Sequence, residues 1–352
     1  MDLSFFQGKR VFLTGHTGFK GSWLSEMLLG AGAEVTGFAL PPPGGPSLFA
    51  LAGLETRMRS VLGDVRDFCA LKAAFDAAQP ELVVHMAAQP LVREGYRDPA
   101  ATYHTNVMGT VHLLECVRQS SCVRSVLNVT TDKVYENKPR PQGFRESDPL
   151  DGFDPYSSSK SCSELVTHSY HNSFFRSRGL AVSTARAGNV IGGGDFAADR
   201  IIPDCVRAVQ AGRPVRLRNP DSLRPYQHVL EPLAAYLLIL QRQYEDAGCA
   251  GWYNVGPDAH DCITTRALAE LFCQAWGAGA AWECVEYGGP HEDAVLTLDC
   301  SKLRGVFGWR PRWTVEEAVA RTVDWTRAWL SGQDASACMR RQIAAFIHGE
   351  EP

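Results

Sequence analysis

Two short stretches of the chain carry residue types that suit the oxidation and dehydration of an alcohol. The first is Thr131-Asp132-Lys133, and the second begins at Tyr156 and ends at Lys160. A tyrosine and a lysine four residues apart share one face of a helix, where the ammonium is expected to lower the pKa of the phenol so that it can remove an alcohol proton. An acid beside a base suits the removal of water. Together the two stretches predict an active site that first oxidises and then dehydrates its substrate.

Six predicted strands alternate with amphipathic helices in the first half of the chain. The strands cover 10–14, 34–40, 60–63, 81–86, 125–130 and 180–185, with helices between them, as at 70–78 and 105–118. This alternation predicts an α/β fold with a Rossmann-like, doubly wound parallel sheet. Ligands of such sheets bind at the carboxyl ends of the strands, where both chemical stretches lie.

After about residue 189 the pattern changes to a smaller, mixed α/β lobe that we expect to face the substrate. Helices are predicted at 203–211, 230–244, 265–276 and 315–329, with short apolar runs such as 252–255 between them. We therefore expect a dinucleotide-binding domain at 1–188 and a substrate lobe at 189–352, with some interleaving of the chain. Insertions rich in helix- and strand-breaking residues are predicted at 41–46 and 136–155.

Composition excludes several classes of protein. The 352 residues are 45% hydrophobic and 21% charged with a net charge of −4, which is typical of a soluble enzyme and gives no basic surface for nucleic acid. No run of eighteen apolar residues and no signal-peptide pattern occur, so no membrane association and a cytoplasmic location are expected. The eleven cysteines form no CxxC pair, which argues against both a disulfide framework and a metal site.

A glycine-rich segment follows the first strand and predicts a dinucleotide site. Its GxxGxxG spacing lets the backbone approach a pyrophosphate at a helix N-terminus, where unpaired amides favour anions. The predicted cofactor-binding residues of this segment are Gly15, His16, Thr17, Gly18, Phe19, Lys20 and Gly21. Asp64 and Val65 end the third strand, where Asp64 can accept the adenine amino group. Ala87, Ala88 and Gln89 end the fourth strand, where small residues leave room for a ribose.

The second strand favours NAD over NADP. Its end, at Phe38-Ala39-Leu40-Pro41, lacks the acid that usually binds a ribose 2′-hydroxyl and also lacks an arginine for a 2′-phosphate. The proline-rich insertion at 41–46 can close over that ribose. Near the nicotinamide, Lys160 is expected to hold the ribose and stabilise the Tyr156 phenolate, while Thr131 hydrogen-bonds the reacting hydroxyl.

Four motifs resemble the extended short-chain dehydrogenase/reductase family, and within it the nucleotide-sugar 4,6-dehydratases, most closely those that act on CDP-glucose. The motifs lie at 15–21, 130–137, 154–160 and 186–192, and the similarity runs from about residue 8 to about 330. The resemblance implies a tightly held NAD that is recycled in each turnover. It also adds Asn106, Thr130 and Arg186 to the cofactor-binding residues.

The resemblance implies conversion of CDP-D-glucose to CDP-4-dehydro-6-deoxy-D-glucose. In that reaction Tyr156 removes the proton of the 4-hydroxyl, a base takes the C5 hydrogen, and Asp132 protonates the departing 6-hydroxyl. Most relatives with other nucleotides carry Glu where this chain has Lys133, so the identity of the base stays open. Lys133 acts as a base only when neutral, and the nearby charge of Lys160 favours that form. The alternative is that Lys133 orients the sugar and Glu136 or a water takes the proton.

Substrate binding is expected to involve the second lobe. The candidates are Gln89, Thr131, Asn189, Arg200, Arg216, Arg218, Asn219, Arg224 and His228. The arginines suit pyrophosphate oxygens through their forked donors. Arg216 and Arg218 are equally consistent with solvated surface charges, and His228 with a packing role. The preference for cytosine rests on resemblance alone.

The sequence leaves open two alternative functions and the oligomeric state. A sugar 4-epimerase of the same fold needs only Tyr156 and Lys160, whereas Asp132-Lys133 favours elimination; a non-catalytic NAD-sensing protein would be free to lose all of them. Many relatives pair through two long helices, here 105–118 and 156–175, so a homodimer with a four-helix interface is expected by analogy. The apolar faces of these helices are equally consistent with packing within the chain. The implied pathway leads to a 6-deoxysugar of a bacterial surface polysaccharide such as the lipopolysaccharide O-antigen.

Overall fold

The computed structural model describes residues 1–42, 44–136, 138, 142–277, 279–285 and 295–349. Parts of the two predicted insertions, including Pro43 and Asn137, and the last three residues of the expected second lobe lie outside this description. The strands are β1 Arg10–Thr14, β2 Glu34–Ala39, β3 Arg59–Leu62, β4 Leu82–His85, β5 Ser125–Val129, β6 Ala181–Ala187, β7 Val190–Ile191, β8 Val215–Leu217, β9 Leu223–Arg224, β10 Gln227–His228, β11 Trp252–Val255, β12 Ile263–Thr264 and β13 Trp282–Cys284.

The helices alternate with these strands in the first half and dominate the second. They are α1 Phe19–Gly30, α2 Leu48–Leu51, α3 Phe68–Ala78, α4 Val92–Arg97, α5 Pro99–Tyr103, α6 Gly109–Arg118, α7 Pro155–Tyr170, α8 Ile201–Gln210, α9 Leu230–Glu245, α10 Thr265–Trp276, α11 Ser301–Phe307, α12 Val315–Leu330 and α13 Ala335–His348. A π-helical segment, His104–Met108, joins α5 to α6, so the predicted helix at 105–118 begins earlier than the pattern indicates.

The main sheet has seven parallel strands in the order β11-β6-β5-β4-β1-β2-β3. The order reverses beside β1, as in a doubly wound fold, so the Rossmann-like prediction is confirmed. Both faces are covered: one core packs Trp23, Leu24 and Leu230 against the sheet, and the other packs Phe75 and Leu113 against its opposite face. The carboxyl ends of the strands therefore share one edge that helices leave open.

The chain returns to this sheet after leaving it. The run Trp252–Val255, which the sequence analysis places among the elements of the second lobe, pairs in parallel with β6. Helix α9 is fixed to the same sheet, because the Ser125 hydroxyl donates to the Leu240 carbonyl oxygen at 2.9 Å and the Gln243 amide donates to the Val126 carbonyl oxygen at 2.9 Å. Residues 230–255 thus pack with the sheet that the first half of the chain forms. This return is an example of the interleaving between the two lobes that the sequence analysis expects.

Polar caps start the helices that matter for the site. Asp154 accepts hydrogen bonds from the backbone amides of Tyr156 and Ser157 at 2.9 and 3.1 Å, and Pro155 occupies the first position of α7, which confirms the predicted start signal. Because this cap fixes the beginning of α7, it also fixes where Tyr156 projects.

The remaining elements form a small second core over one end of the sheet. Helices α8, α10 and α12 enclose apolar side chains such as Ile202, Leu268, Phe272 and Val319. All eleven cysteines are unpaired thiols. Within the described ranges, no helix has the length and apolar character needed to cross a membrane, and no cluster of side chains has the composition of a metal site.

Candidate functional site

The glycine-rich loop between β1 and α1 is packed too tightly for side chains. Gly15 has a φ of +80°, and a Cβ there would lie 2.9 Å from the Ala87 nitrogen. A Cβ on Gly21 would lie 2.1 Å from the Gly15 carbonyl oxygen. Gly18 caps α1 without a side chain, so the first amides of this helix face outward and form a site for an anion.

A cavity of about 510 Å³ opens in front of this loop. The predicted cofactor residues in its wall are Gly15, Thr17, Gly18, Phe19, Lys20, Gly21, Asp64, Val65, Ala87 and Ala88. The cradle of glycines, the helix N-terminus and the small residues at the end of β4 fit the pyrophosphate and ribose of a dinucleotide.

Arg66 is a cavity residue that the sequence analysis missed. Its guanidinium donates to the Asp64 carboxylate at 2.6 Å and, together with the Arg66 amide, holds the pKa of Asp64 below its usual range. The carboxylate predicted to accept the adenine amino group is therefore already paired. The signal in the sequence was the arginine two residues after Asp64.

The side chain of His16, a predicted cofactor-binding residue, lies outside the described wall of the cofactor cavity. The ring is fully buried, and its Nε2 lies 2.7 Å from the Ser60 hydroxyl oxygen. A Cβ on Gly37 would lie 2.2 Å from this ring, so the ring fills the space above β2 that a larger residue would need. Burial lowers the pKa of His16 to about 4, and the ring is neutral at pH 7.

Asn106 and Gln89 hold the end of β4 and lie outside the described cavity walls. The Asn106 carbonyl accepts the Gln89 amide at 2.8 Å, and the Asn106 amide donates to the Ser159 hydroxyl at 2.8 Å. Asn106 is 1% exposed. These contacts tie β4 to α7, and they place the side chain of Asn106 behind the cofactor site and not in its wall.

Arg186, a predicted cofactor-binding residue, lies outside the described walls of both cavities. Its guanidinium is fully buried and donates to the Glu164 carboxylate at 2.9 Å and to the Tyr135 hydroxyl at 2.9 Å. Glu164 in turn accepts the Thr130 hydroxyl. Arg186 therefore links β6 through Glu164 to Thr130, the residue after β5.

The two catalytic stretches meet at a second cavity of about 330 Å³. Thr131, Asp132, Lys133 and Tyr156 lie in its wall. Asp132 is 2% exposed, and its Oδ1 accepts the Thr131 hydroxyl at 3.0 Å. The carboxyl of Asp132, the amine of Lys133 and the phenol of Tyr156 therefore line one cavity, which is the arrangement that the sequence predicts.

Lys160 lies just behind this cavity and is anchored to the sheet. Its ammonium donates to the Val129 carbonyl oxygen at 3.1 Å. Burial, followed by the charge of Lys20, lowers the pKa of Lys160 to about 7. The charge of this lysine at neutral pH is therefore sensitive to what binds beside it.

The pKa of Tyr156 is raised and not lowered, which contradicts the sequence expectation for the protein by itself. Burial raises it to about 12, and the hydrogen bond with Thr131 and the charge of Arg200 offset only part of that effect. The spacing places Lys160 on the same helix face, but burial is the largest effect on the pKa of Tyr156.

The second lobe contributes Asn189, Arg200 and Arg224 to the catalytic cavity, as predicted. Arg200 forms an ion pair with Asp195 at 2.8 Å and lies in the walls of both cavities. Asp195 and Tyr226 were missed by the sequence analysis. Asp195 follows three consecutive glycines after β7, which was the available signal.

The other predicted substrate residues lie outside the described wall of this cavity. Arg216 is exposed and lies 3.6 Å from Glu283, and Arg218 pairs with Asp199 at 3.1 Å. Asn219 also lies outside the cavity lining, although Ser222 beside it contributes. Asp199, the partner of Arg218, lies in the cavity wall.

His228 packs in the core and lies outside the described wall of the catalytic cavity, which favours the packing role that the sequence analysis left open. It is fully buried against Trp23 and Trp313, and its Nδ1 accepts the Leu230 amide at 3.3 Å. Burial lowers the pKa of His228 to about 3. The neutral ring therefore stabilises the junction between the sheet and the second lobe.

The chain is similar in sequence to known sugar-nucleotide enzymes. A family model described as GDP-mannose 4,6 dehydratase matches residues 12–322. The CDP-glucose 4,6-dehydratase of Salmonella typhimurium is 48% identical over 354 aligned residues, which cover 99% of this chain and 98% of that protein. The dTDP-glucose 4,6-dehydratase of Streptomyces antibioticus is 32% identical over 276 residues, covering 76% and 77% of the two chains.

Solved structures share the fold over most of both chains. DesIV, a dTDP-glucose 4,6-dehydratase from Streptomyces venezuelae solved with NAD bound, is 27% identical with a TM-score of 0.76, and 93% of this chain and 99% of that chain are covered. The UDP-glucose 4-epimerase of Thermus thermophilus in complex with NAD is 28% identical with a TM-score of 0.78, covering 90% and 99%.

Proposed function

The chain belongs to the GDP-mannose 4,6 dehydratase family, and we propose that it is an NAD-dependent hydro-lyase (EC 4.2.1.45) that converts CDP-D-glucose to CDP-4-dehydro-6-deoxy-D-glucose and water. The observation that carries this proposal is the presence of Thr131, Asp132, Lys133 and Tyr156 in one cavity wall beside a dinucleotide cradle. The extent of similarity to the Salmonella enzyme supports the choice of CDP-glucose.

The cofactor site fits NAD on the basis of its own geometry. The glycines at 15 and 21 leave no space for side chains where the backbone must approach a pyrophosphate, and the amides of α1 face the same space. When bound, NAD supplies an acceptor for the hydride of C4 and a donor that returns it to C6. The residues that would hold it are Gly15, Thr17, Gly18, Phe19, Gly21, Asp64, Val65, Ala87 and Ala88 of the cavity wall, together with Lys160.

The oxidation half of the reaction uses Tyr156 and Thr131. Tyr156 takes the proton of the 4-hydroxyl, and Thr131 orients that hydroxyl through a hydrogen bond. Burial raises the pKa of Tyr156, so a positive charge beside the phenol favours loss of its proton, and Arg200 in the same cavity wall supplies such a charge.

The dehydration half uses Lys133 and Asp132. A 4-ketone acidifies the C5 hydrogen, Lys133 takes that proton, and Asp132 protonates the departing 6-hydroxyl, which leaves as water. Glu136, the alternative base, pairs with Lys138 at 2.6 Å and lies outside the described cavity wall. This placement supports Lys133 as the base.

Side chains of the second lobe support its role in holding the sugar nucleotide. Arg200 and Arg224 face the cavity with Asn189, and forked guanidinium donors suit pyrophosphate oxygens. We keep the division into a cofactor-binding part at 1–188 and a nucleotide-sugar part at 189–352 as a proposal, with residues 230–255 returning to the sheet.

We also propose that the enzyme acts in the cytoplasm as a homodimer. Apolar side chains on α5 and α7 and on the segments next to them are exposed, and they suit a four-helix interface: Tyr103, Met108, Phe153, Leu165 and Phe174. Eleven unpaired thiols suit a reducing compartment. The product is a precursor of a 6-deoxysugar for a surface polysaccharide such as the lipopolysaccharide O-antigen. Sedimentation of wild type and of Leu165→Glu tests the dimer, which the variant should dissociate.

One incubation separates the candidate activities. The purified protein is mixed with NAD+ and, in turn, with CDP-, dTDP-, UDP- and GDP-glucose, and the products are identified by mass and by NMR. A 4-keto-6-deoxy product from CDP-glucose supports the proposal. The same product only from another nucleotide would change the substrate, CDP-galactose would indicate an epimerase, and unchanged sugars would indicate a non-catalytic binder.

A further inference from the structure

The side chain of Lys20 lies where the two cavities meet. Lys20 is the second residue of α1 and contributes to the walls of both the cofactor cavity and the catalytic cavity. Among the described residues, its ammonium has no hydrogen-bond or ion-pair partner. A cation in the first turn of a helix is unfavourable, because the helix dipole makes that end positive. The position of Lys20 therefore needs an explanation other than the stability of α1.

Asp132, Asp195 and Arg200 share the wall of the catalytic cavity with Lys20, and the charge of Lys160 also acts on it. Asp132, after β5, and Asp195, after β7, attract its charge, while Arg200 and Lys160 repel it. Burial and then Arg200 lower the pKa of Lys20 to about 8, and the two carboxylates offset only part of this effect. The Lys20 ammonium thus interacts with the carboxylates of the catalytic cavity, although its backbone lies at the start of α1, next to the glycine-rich loop.

We propose, on the basis of the proposed dehydratase activity, that Lys20 is a positioning residue for the dehydration step and acts through Asp132. When Asp132 gives its proton to the departing 6-hydroxyl, water leaves and a carboxylate remains. The Lys20 ammonium stabilises the negative charge that develops on Asp132, and it exchanges no proton itself. The C5 proton goes to Lys133, so the protons balance without Lys20.

This role differs from the cofactor contact that the glycine-rich motif predicts for Lys20. An ammonium that served only a cofactor phosphate would act on cofactor affinity and would affect both halves of the reaction. An ammonium that serves Asp132 affects only the loss of the 6-hydroxyl. The two roles therefore separate in experiments that follow each half of the reaction.

The first experiment compares wild type with Lys20→Met, Lys20→Arg and the control Lys72→Met. Lys72 pairs with Asp76 on α3 and lies outside the walls of both cavities. Single turnovers with CDP-glucose are followed by the absorbance of the reduced nicotinamide and by the formation of the 4-keto-6-deoxy product. Lys20→Met should form reduced nicotinamide at a near-normal rate but dehydrate about 100-fold more slowly.

The second experiment uses CDP-6-deoxy-6-fluoroglucose. Fluoride leaves without needing a proton from an acid, so elimination from this substrate should be almost equally fast in Lys20→Met and in wild type. Lys20→Arg should recover part of the dehydration rate with CDP-glucose. Its rate should persist above about pH 8, where wild type slows because the Lys20 ammonium loses its proton.

Tryptophan fluorescence titrations with NAD+ and thermal unfolding complete the comparison. Unchanged NAD+ affinity and stability in Lys20→Met, with a defect confined to the natural leaving group, supports the inference. Dehydration rates equal to those of Lys72→Met, a defect that persists with the fluorinated sugar, or a loss explained by weaker NAD+ binding would each overturn it. A wild-type protein that leaves CDP-glucose unchanged would instead refute the proposed function itself.

Discussion

Glu164 of α7 and Arg186 of β6 form a fully buried ion pair in which the guanidinium nitrogen lies 2.9 Å from the carboxylate oxygen. Glu164 also accepts the hydroxyl of Thr130, which immediately precedes the catalytic Thr131. The pair therefore joins the helix that carries Tyr156 to the strand end that carries the acid. The relative position of the two catalytic stretches depends on this contact.

Replacement of Arg186 by Met should destabilise the protein strongly. The Glu164 carboxylate would remain buried without its countercharge, which costs about 3–5 kcal/mol. The surface pair Arg118–Glu115, at 2.7 Å, provides the matched control, and Arg118→Met should cost far less because solvent screens this pair. Urea unfolding of the three proteins measures both values. Equal, small losses would show that the buried pair does not hold the fold.

The same pair makes stability depend on pH in the acid range. Burial alone would raise the pKa of Glu164, but the charge of Arg186 and several hydrogen bonds lower it to about 2. Because the folded pKa lies below the unfolded value of about 4.3, the stabilisation is complete above that value and is lost as the pH falls toward 2. Unfolding free energies between pH 6 and 3 should fall more steeply for wild type than for Glu164→Gln. Parallel curves would contradict this assignment.

A methyl group on Gly21 should prevent productive cofactor binding. Its Cβ would lie 2.1 Å from the Gly15 carbonyl oxygen, so the loop must shift away from the helix N-terminus. We expect Gly21→Ala to weaken NAD+ binding at least tenfold, or by about 1.4 kcal/mol. Gly30, at the other end of α1, has open space around its Cβ position, and Gly30→Ala should bind normally. Calorimetric titration with NAD+ distinguishes them, and similar affinities would disprove the tight cradle.

Lys133→Ala should separate oxidation from proton removal at C5. The variant should still oxidise C4 in part, but exchange of the C5 hydrogen with deuterated solvent should be suppressed, because the base is missing from the cavity. Glu136→Gln is the control, since Glu136 pairs with Lys138 outside the described wall. NMR of the recovered sugar measures the exchange. Exchange retained in Lys133→Ala and lost in Glu136→Gln would transfer the role of base to Glu136.

The sequence predicts the sheet and the catalytic cluster well because both depend on periodicity and on strand ends. Parallel strands bring their carboxyl ends to one edge, so Thr131 and Tyr156 meet once the strands are recognised. The sequence does not place the seventh strand in the main sheet, because the four residues Trp252–Val255 carry no information about which sheet they join. Its place follows from the packing of α9, which spacing does not reveal.

The differences at individual site residues share one physical cause, which is the direction and burial of side chains. His16 and Arg186 lie in recognisable motifs, yet both side chains turn into the core. The raised pKa of Tyr156 reflects burial that the spacing of Tyr156 and Lys160 cannot show. Arg66 was missed because its place in the cavity depends on how β3 ends and on its pairing with Asp64.

The transfer of one hydride from C4 to C6 of the same sugar is the central claim, and an isotope tests it directly. CDP-glucose carrying deuterium at C4 is converted by the purified protein with unlabelled NAD+, and the product is analysed by NMR and mass spectrometry. The site geometry predicts that the deuterium reappears at C6 of CDP-4-dehydro-6-deoxyglucose. Deuterium lost to solvent or to free reduced cofactor, with none at C6, would contradict the account.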